Sequence, residues 1–135
     1  MEHASASAAA IAQWLIGRPE VRAVNYPGLR DQAQHELVER QMRGPGAMVS
    51  FDISDAAGGE ARARRFVART RLFTLAESLG AVESLIELPA AMTHQSVAHT
   101  ALAVPLSLVR LSVGIENVDD LVADLETAFA SSASA

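Results

Sequence analysis

The amino-acid sequence predicts an α+β domain: a small, mostly antiparallel sheet covered by helices on one face. Three observations carry that prediction. Helical periodicity marks both ends of the chain, in "MEHASASAAAIAQWLIG" and in "ENVDDLVADLETAFA". Between them lie short β-branched or alternating stretches, "VRAVNYP", "AMVSFDI" and "SLVRLSVGI". Helices and strands follow one another without a regular βαβ rhythm and without an internal repeat.

Each element has its own justification. The first helix is expected near residues 4–17, with Ala8, Ile11, Trp14 and Leu15 on one face and Gly17-Arg18-Pro19 as its stop. It resembles a signal peptide only superficially, because Glu2 stands where such a leader carries positive charge. "VRAVNYP" reads as a strand closed by Pro27-Gly28. Residues 31–43 read as a second helix, with Asp31 as N-cap and a stripe at Ala33, Leu37, Val38 and Met42, broken by Gly44-Pro45-Gly46. "AAGGEARARRFVART" holds a loop and a third helix, with Ala61, Arg65 and Ala68 at helical spacing. "LFTLA" and "VESLIEL" are extended segments around Ser78-Leu79-Gly80, and a loop of low periodicity covers roughly 89–107. The closing helix turns Val118, Leu121, Val122, Leu125 and Phe129 inward and its acidic residues outward. Asn117 is its expected cap, and Asp119 and Asp120 suit the positive end of its dipole. The tail "SSASA" is small and polar and is expected to fray.

Composition narrows the function. A chain of 135 residues, half of them apolar, is one domain with a real core. The net charge is −5 and all eleven basic residues are arginine. That balance argues against nucleic acid and anionic membranes as partners, and the absence of lysine removes the usual Schiff-base nucleophile. The absence of cysteine excludes disulfides, thiolate metal sites and thiol nucleophiles, and fits a cytoplasmic location. No segment approaches the length that spans a bilayer as a helix.

The chemistry-bearing residues are few. His3, His35, His94 and His99 fall on separate elements with no metal-ligand spacing, so no metal site is read; His35 belongs to an exposed helix face and His94 buttresses a loop. Arg62, Arg64, Arg65, Arg69 and Arg71 form a basic cluster without interleaved aromatics, which reads as a solvated helix face or a surface against another domain. Gly58-Gly59 is an isolated pair, not a phosphate loop, and no nucleophile elbow is present.

Arg110 stands out. Leu108 and Val109 precede it and Leu111 and Val113 follow, so its guanidinium needs a carboxylate. Glu77, Glu83 or Glu87 are internal candidates; a ligand carboxylate, taken bidentately, is the alternative. Ser78, two residues before Gly80, is expected to present hydroxyl and backbone donors to the same place. The result is a candidate carboxylic-acid site with no group to perform chemistry: no residue is read as catalytic, as a cofactor contact or as a metal ligand.

These residues carry a family resemblance. "YPGL" (26–29), "LFTLAESLGAVESLIELPAAMTH" (72–94) and "LVRLSVGIENVDDLVADLE" (108–126) closely resemble the C-terminal domain of the pyridoxal-phosphate-dependent transsulfuration enzymes. That family includes cystathionine γ-synthase, cystathionine γ-lyase, cystathionine β-lyase and methionine γ-lyase. The match runs in order over nearly the whole chain. It implies the small C-terminal domain of a fold-type I pyridoxal-phosphate enzyme. It also implies that Arg110 binds the substrate's α-carboxylate, that Ser78 lies beside it, and that Thr93 lines the same region. Glu77, before that serine, is similar to the cystathionine-handling members, whereas methionine γ-lyases commonly carry an apolar residue there. The chain departs from the family in a shorter stretch between His94 and Arg110, in Ala81 for a usual glycine, and in Pro105-Leu106 for a polar pair.

The resemblance further implies what residues 1–135 lack. Such enzymes hold the cofactor in a large N-terminal domain, on a lysine that this chain does not have. The expectation is therefore a single C-terminal domain, inactive alone, with that cofactor-binding domain absent and pyridoxal 5′-phosphate carried in the parent. The expected partners are the missing domain, an amino-acid carboxylate and, in the parent, a homotetramer of the family type. A stand-alone amino-acid-binding or assembly module, a split enzyme and a methionine γ-lyase-type parent are the rival readings.

Overall fold

The computed structural model describes residues 1–30 and 35–133. Its strands are β1 (Val21–Asn25), β2 (Met48–Ile53), β3 (Thr74–Leu75), β4 (Leu85–Glu87) and β5 (Leu108–Ser112). Its helices are α1 (Glu2–Ile16), α2 (His35–Gln41), α3 (Gly59–Val67), α4 (Pro89–Met92) and α5 (Val118–Ser132). The strands form one sheet in the order β1-β2-β5-β4-β3, antiparallel throughout except between β3 and β4. The fold class is the α+β one that the periodicities predict.

The two-residue period of a strand sorts this sheet into two unlike faces. Val49, Phe51 and Ile53 of β2, Val109 and Leu111 of β5 and Ile86 of β4 are buried in one core with α1, α3 and α5. The alternate residues, Ser50, Asp52, Glu87, Arg110 and Ser112, share the opposite face, because Arg110 is in register with Ser50 on one side and Glu87 on the other. That polar row positions the candidate site.

Alanine lets α1 lie close to the sheet: Ala4, Ala8 and Ala12 are buried beside Ile11 and Leu15. Trp14 is half-buried, and the Arg18 guanidinium carbon lies 5.0 Å from its ring centre. The Asn117 side chain caps α5 by accepting from the amides of Asp119 at 2.8 Å and Asp120 at 3.4 Å. Leu121, Leu125 and Phe129 are buried as predicted, with Val118 and Val122 packed partly against the core.

One acidic residue of α5 turns inward against expectation. The Asp124 carboxylate accepts from the backbone amides of Arg71, Leu72 and Phe73 at 2.9 to 3.2 Å. One carboxylate thus meets three successive backbone donors, the last of them at the buried Phe73.

The face of α3 also differs from the spacing first read. Arg62, Ala63, Phe66 and Val67 are buried, whereas Ala61 and Ala68 are exposed. Aromatic packing decides the face: the Phe66 and Phe129 ring centres are 4.3 Å apart, and Phe66 meets Phe51 edge to face at 5.7 Å. Arg62 follows Phe66 inward and donates to the carbonyls of Phe129 at 3.0 Å and Ala57 at 3.1 Å. Arg65 donates to the Ser132 carbonyl at 3.0 Å. Part of the basic cluster is thus a clamp on the negative end of α5, not a solvated face. Arg64 does remain outside, paired with Glu60 at 2.8 Å.

The segment 31–43 is helical over His35–Gln41, and Asp31 and Ala33 lie outside the described residues. Nothing on α2 is buried, and Leu37 and Met42 of the expected stripe are exposed, so the helix lies at the periphery. His35 is half-buried rather than on an open face, 3.3 Å from Glu39. The stretch 89–107 is less irregular than expected: it holds α4, started by Pro89, and a 3₁₀ turn at Gln95–Val97.

Residues 76–84 loop over the polar face, where the Gly80 amide donates to Ser112 Oγ at 2.8 Å. This excursion returns the chain to the sheet edge in the same direction, which makes β3 and β4 parallel. Gly114 permits the close return, since a Cβ there would stand 2.3 Å from the Val82 carbonyl oxygen. Glu116 fastens it by accepting from the Ser84 amide at 2.6 Å and hydroxyl at 2.8 Å.

Candidate functional site

Arg110 is the middle residue of β5, and antiparallel pairing sets Glu87 of β4 directly opposite it. Nη1 lies 3.1 Å from Glu87 Oε1, across a pair whose side chains are 20% and 1% exposed. Of the three internal carboxylates open to Arg110 in the sequence, Glu87 is its partner. Glu77 and Glu83 are both exposed.

The second terminal nitrogen is held more loosely. Nη2 reaches the backbone oxygens of Ser78 at 3.4 Å and Glu77 at 3.5 Å, near the limit of a hydrogen bond. Ser78 therefore turns its carbonyl toward Arg110, where hydroxyl and amide donors were expected. Glu77 likewise meets Arg110 through its backbone and leaves its side chain exposed.

Thr93 is the C-cap of α4, and its hydroxyl lies 3.0 Å from Glu87 Oε1 and 2.8 Å from His94 Nδ1. A paired carboxylate only accepts, so the single hydroxyl proton goes to Glu87 and the His94 Nδ1–H donates to Oγ1. His94 stands at the N-cap of the Gln95–Val97 turn without a side-chain cap bond, and its ring meets only Thr93 among the described residues.

The fold thus gathers Glu87 and the backbones of Glu77 and Ser78 about Arg110, with Thr93 joined to it through Glu87. A guanidinium has five N–H donors; here Nη1 forms an ion pair with Glu87 and Nη2 engages the loop carbonyls at long range. Donors remain for a second planar acceptor, and holding a carboxylate is what this arrangement can do chemically. Among the described residues, no group of three or more His, Asp or Glu is placed to hold a metal ion. None of their helices is long and apolar enough to cross a membrane.

Glu87 is the residue whose importance sequence reasoning left unresolved. A signal was present, since it is the lone charge in the apolar run Leu85-Ile86-Glu87-Leu88. A carboxylate enclosed in that way must have a cation facing it.

Known proteins resemble this chain over nearly its whole length. The family model for Cys/Met metabolism PLP-dependent enzymes matches residues 1–130. The chain is 52% identical over 128 residues to a cystathionine gamma-synthase of Mycobacterium leprae, covering 95% of this chain and 32% of that protein. It is 47% identical over 131 residues to a cystathionine gamma-lyase of Dictyostelium discoideum, covering 95% of this chain and 33% of that one. The crystal structure of metB from Corynebacterium glutamicum superposes with a TM-score of 0.92 at 49% identity, over 97% of this chain and 33% of that chain. The chain spans about a third of the length of the curated relatives it matches. A family model covering nearly every residue, and a shared fold at close to half identity, make this chain a member of the Cys/Met metabolism PLP-dependent enzyme family.

Proposed function

We propose that the chain is the C-terminal, substrate-pocket domain of a pyridoxal-phosphate-dependent enzyme of the cystathionine γ-synthase or γ-lyase type. In this reading Arg110 grips the α-carboxylate of the amino-acid substrate. Glu77 biases which side chain is accepted, and Ser78 forms the adjoining wall. The observation that carries the reading is the state of Arg110: one edge is tied to Glu87 at 3.1 Å, and the other rests on carbonyls at 3.4 and 3.5 Å. A cation oriented in this way and left with donors to spare suits a planar anion.

The cofactor belongs outside residues 1–135 in this reading. The donor set supports that placement, since the chain has no lysine to bond the cofactor's aldehyde and its site arginine already faces Glu87. Pyridoxal phosphate, where bound, withdraws electrons from the bonds next to the substrate's amino group. The residues of this chain bind and orient the substrate; alone they are inactive. The coverage of about a third of each relative supports a pyridoxal-phosphate-binding partner, on the same polypeptide or another; a homo-oligomeric parent is part of the same proposal. The assembled enzyme makes or cleaves cystathionine by replacement or elimination at the γ-carbon, as the names of its relatives support.

A graft tests this. This chain replaces the matching third of the Mycobacterium leprae cystathionine γ-synthase, and turnover is measured with and without Arg110→Ala. The expected result is an active chimera that loses about a hundredfold in kcat/KM on Arg110→Ala, the effect of removing charge-assisted hydrogen bonds to substrate. A folded, cofactor-loaded chimera indifferent to Arg110→Ala would sink the reading.

A further inference from the structure

We propose that Glu87 is a positioning residue: it holds the Arg110 guanidinium in the orientation that receives a carboxylate, and Thr93 acts on Arg110 through it. The proposal rests on the carboxylate-site reading of Arg110 and assigns to Glu87 and Thr93 a role that touches no substrate.

Glu87 is a poor choice for stability alone. It is 1% exposed between Ile86 and Leu88, and its Oε2 is buried with no hydrogen-bond partner among the described residues. An apolar side chain in such a place is commonly as stable as a buried ion pair or more so, because neither ion then has to leave water. What the carboxylate supplies is direction. Its Oε1 faces Arg110 Nη1 at 3.1 Å in an ion pair and accepts from Thr93 Oγ1 at 3.0 Å, so the oxygen that meets the cation is itself held by Thr93.

The other contacts of Arg110 cannot supply that direction. At 3.4 and 3.5 Å the carbonyls of Ser78 and Glu77 are too distant to hold a planar group, and they sit on a loop. Glu87 and Arg110 instead project from adjacent strands whose register is set by the sheet. Groups mounted on strands and locked by a second layer of hydrogen bonds hold their geometry better than groups on loops. In Thr93 that second layer has an acceptor side as well, which the His94 Nδ1–H fills at 2.8 Å.

The rival role for Glu87 is that of a simple counter-ion, which a ligand carboxylate would have to compete with. Side-chain nitrogen NMR on the 135-residue chain separates the two. Two quantities are read: the order of the Arg110 Nε–H vector without ligand, and the affinity for L-cystathionine by titration. Glu87→Ala should loosen Arg110 toward the flexible range and weaken binding roughly tenfold. Glu87→Gln keeps an acceptor at Oε1 without the charge, so it should hold Arg110 nearly as wild type does and bind within about threefold. Thr93→Val should loosen Arg110 partway and Thr93→Ser restore it, which keeps the test alive if Glu87→Ala does not fold.

Arg110 as ordered in all of these variants as in wild type would overturn the positioning role, whatever the titration shows. Tighter cystathionine binding in Glu87→Ala would overturn it too, by making Glu87 a competitor, while leaving the carboxylate site intact. A titration in which wild type and Arg110→Ala respond alike would overturn the carboxylate-site reading, and the proposal with it.

Discussion

Arg62 and Arg110 serve opposite faces of one sheet, and the chain treats them differently. Arg62, on the helical side, has a side chain 9% exposed and donates to the Phe129 and Ala57 carbonyls and to Ser132 Oγ at 3.0, 3.1 and 3.3 Å, with Glu20 at 3.5 Å. Arg110, on the polar side, is 20% exposed and has one carboxylate at 3.1 Å and two carbonyls at the edge of bonding distance. The first cation is hydrogen-bonded at all three of its nitrogens by its own chain and serves as a part of the fold. The second is held by one ion pair and two long carbonyl contacts.

That contrast should show first in stability. Arg62→Ala strands two carbonyls and part of Glu20 at the end of α5, and should lower the unfolding free energy by about 3 kcal/mol in urea titrations. A loss below about 1 kcal/mol would mean that Arg62 is no clamp, and the comparison would collapse. Arg110→Ala should cost less, about 1–2 kcal/mol, and through a different route: Glu87 is left as a buried charge without its cation. Adding Glu87→Gln should therefore recover most of the loss, whereas simple additivity of the two changes would show that the pair is uncoupled.

A smaller effect concerns pH. Glu20 joins the end of α1 to α3, lying 3.1 Å from Arg18 and 3.5 Å from Arg62. Burial works against its charge, but a backbone hydrogen bond and the Arg18 guanidinium outweigh it, and its pKa falls below the ordinary carboxylate value. A lowered folded pKa gives stability that is fully present above the unfolded value and is lost as pH falls through the folded one. Glu20→Gln should accordingly flatten the loss of stability from about pH 5 downward and change nothing in the Arg110 region. An acid limb of the same slope in both proteins would remove Glu20 from the Arg62 side of the comparison.

The two arginines also differ in how well they could be read. Arg110 was conspicuous because it is a lone charge among Leu108, Val109, Leu111 and Val113, and that context is local. Arg62 was not, because helical spacing places it as easily outside as in; the choice was made by Phe66 meeting Phe129 across sixty residues of chain, roughly the distance that local patterns cannot span. Asp124 was assigned outward for the same reason. Nothing near it in sequence reveals three amides at residues 71–73 that need an acceptor.

The sequence by itself determined the fold class, the end helices with the Asn117 cap, the strands that carry the core, and the presence of a cation on the sheet that demanded a carboxylate. All of these follow from propensity, period and the cost of an unpaired charge, which act over a few residues. Only the tertiary structure decided which carboxylate answers Arg110, that Thr93 reaches it through Glu87, that Ser78 offers a carbonyl, and that Arg62 and Asp124 turn inward. Those outcomes depend on strand register and on which side chains meet across the core. Register is a property of two strands at once, and β4 and β5 are joined by a chain segment long enough to allow many pairings.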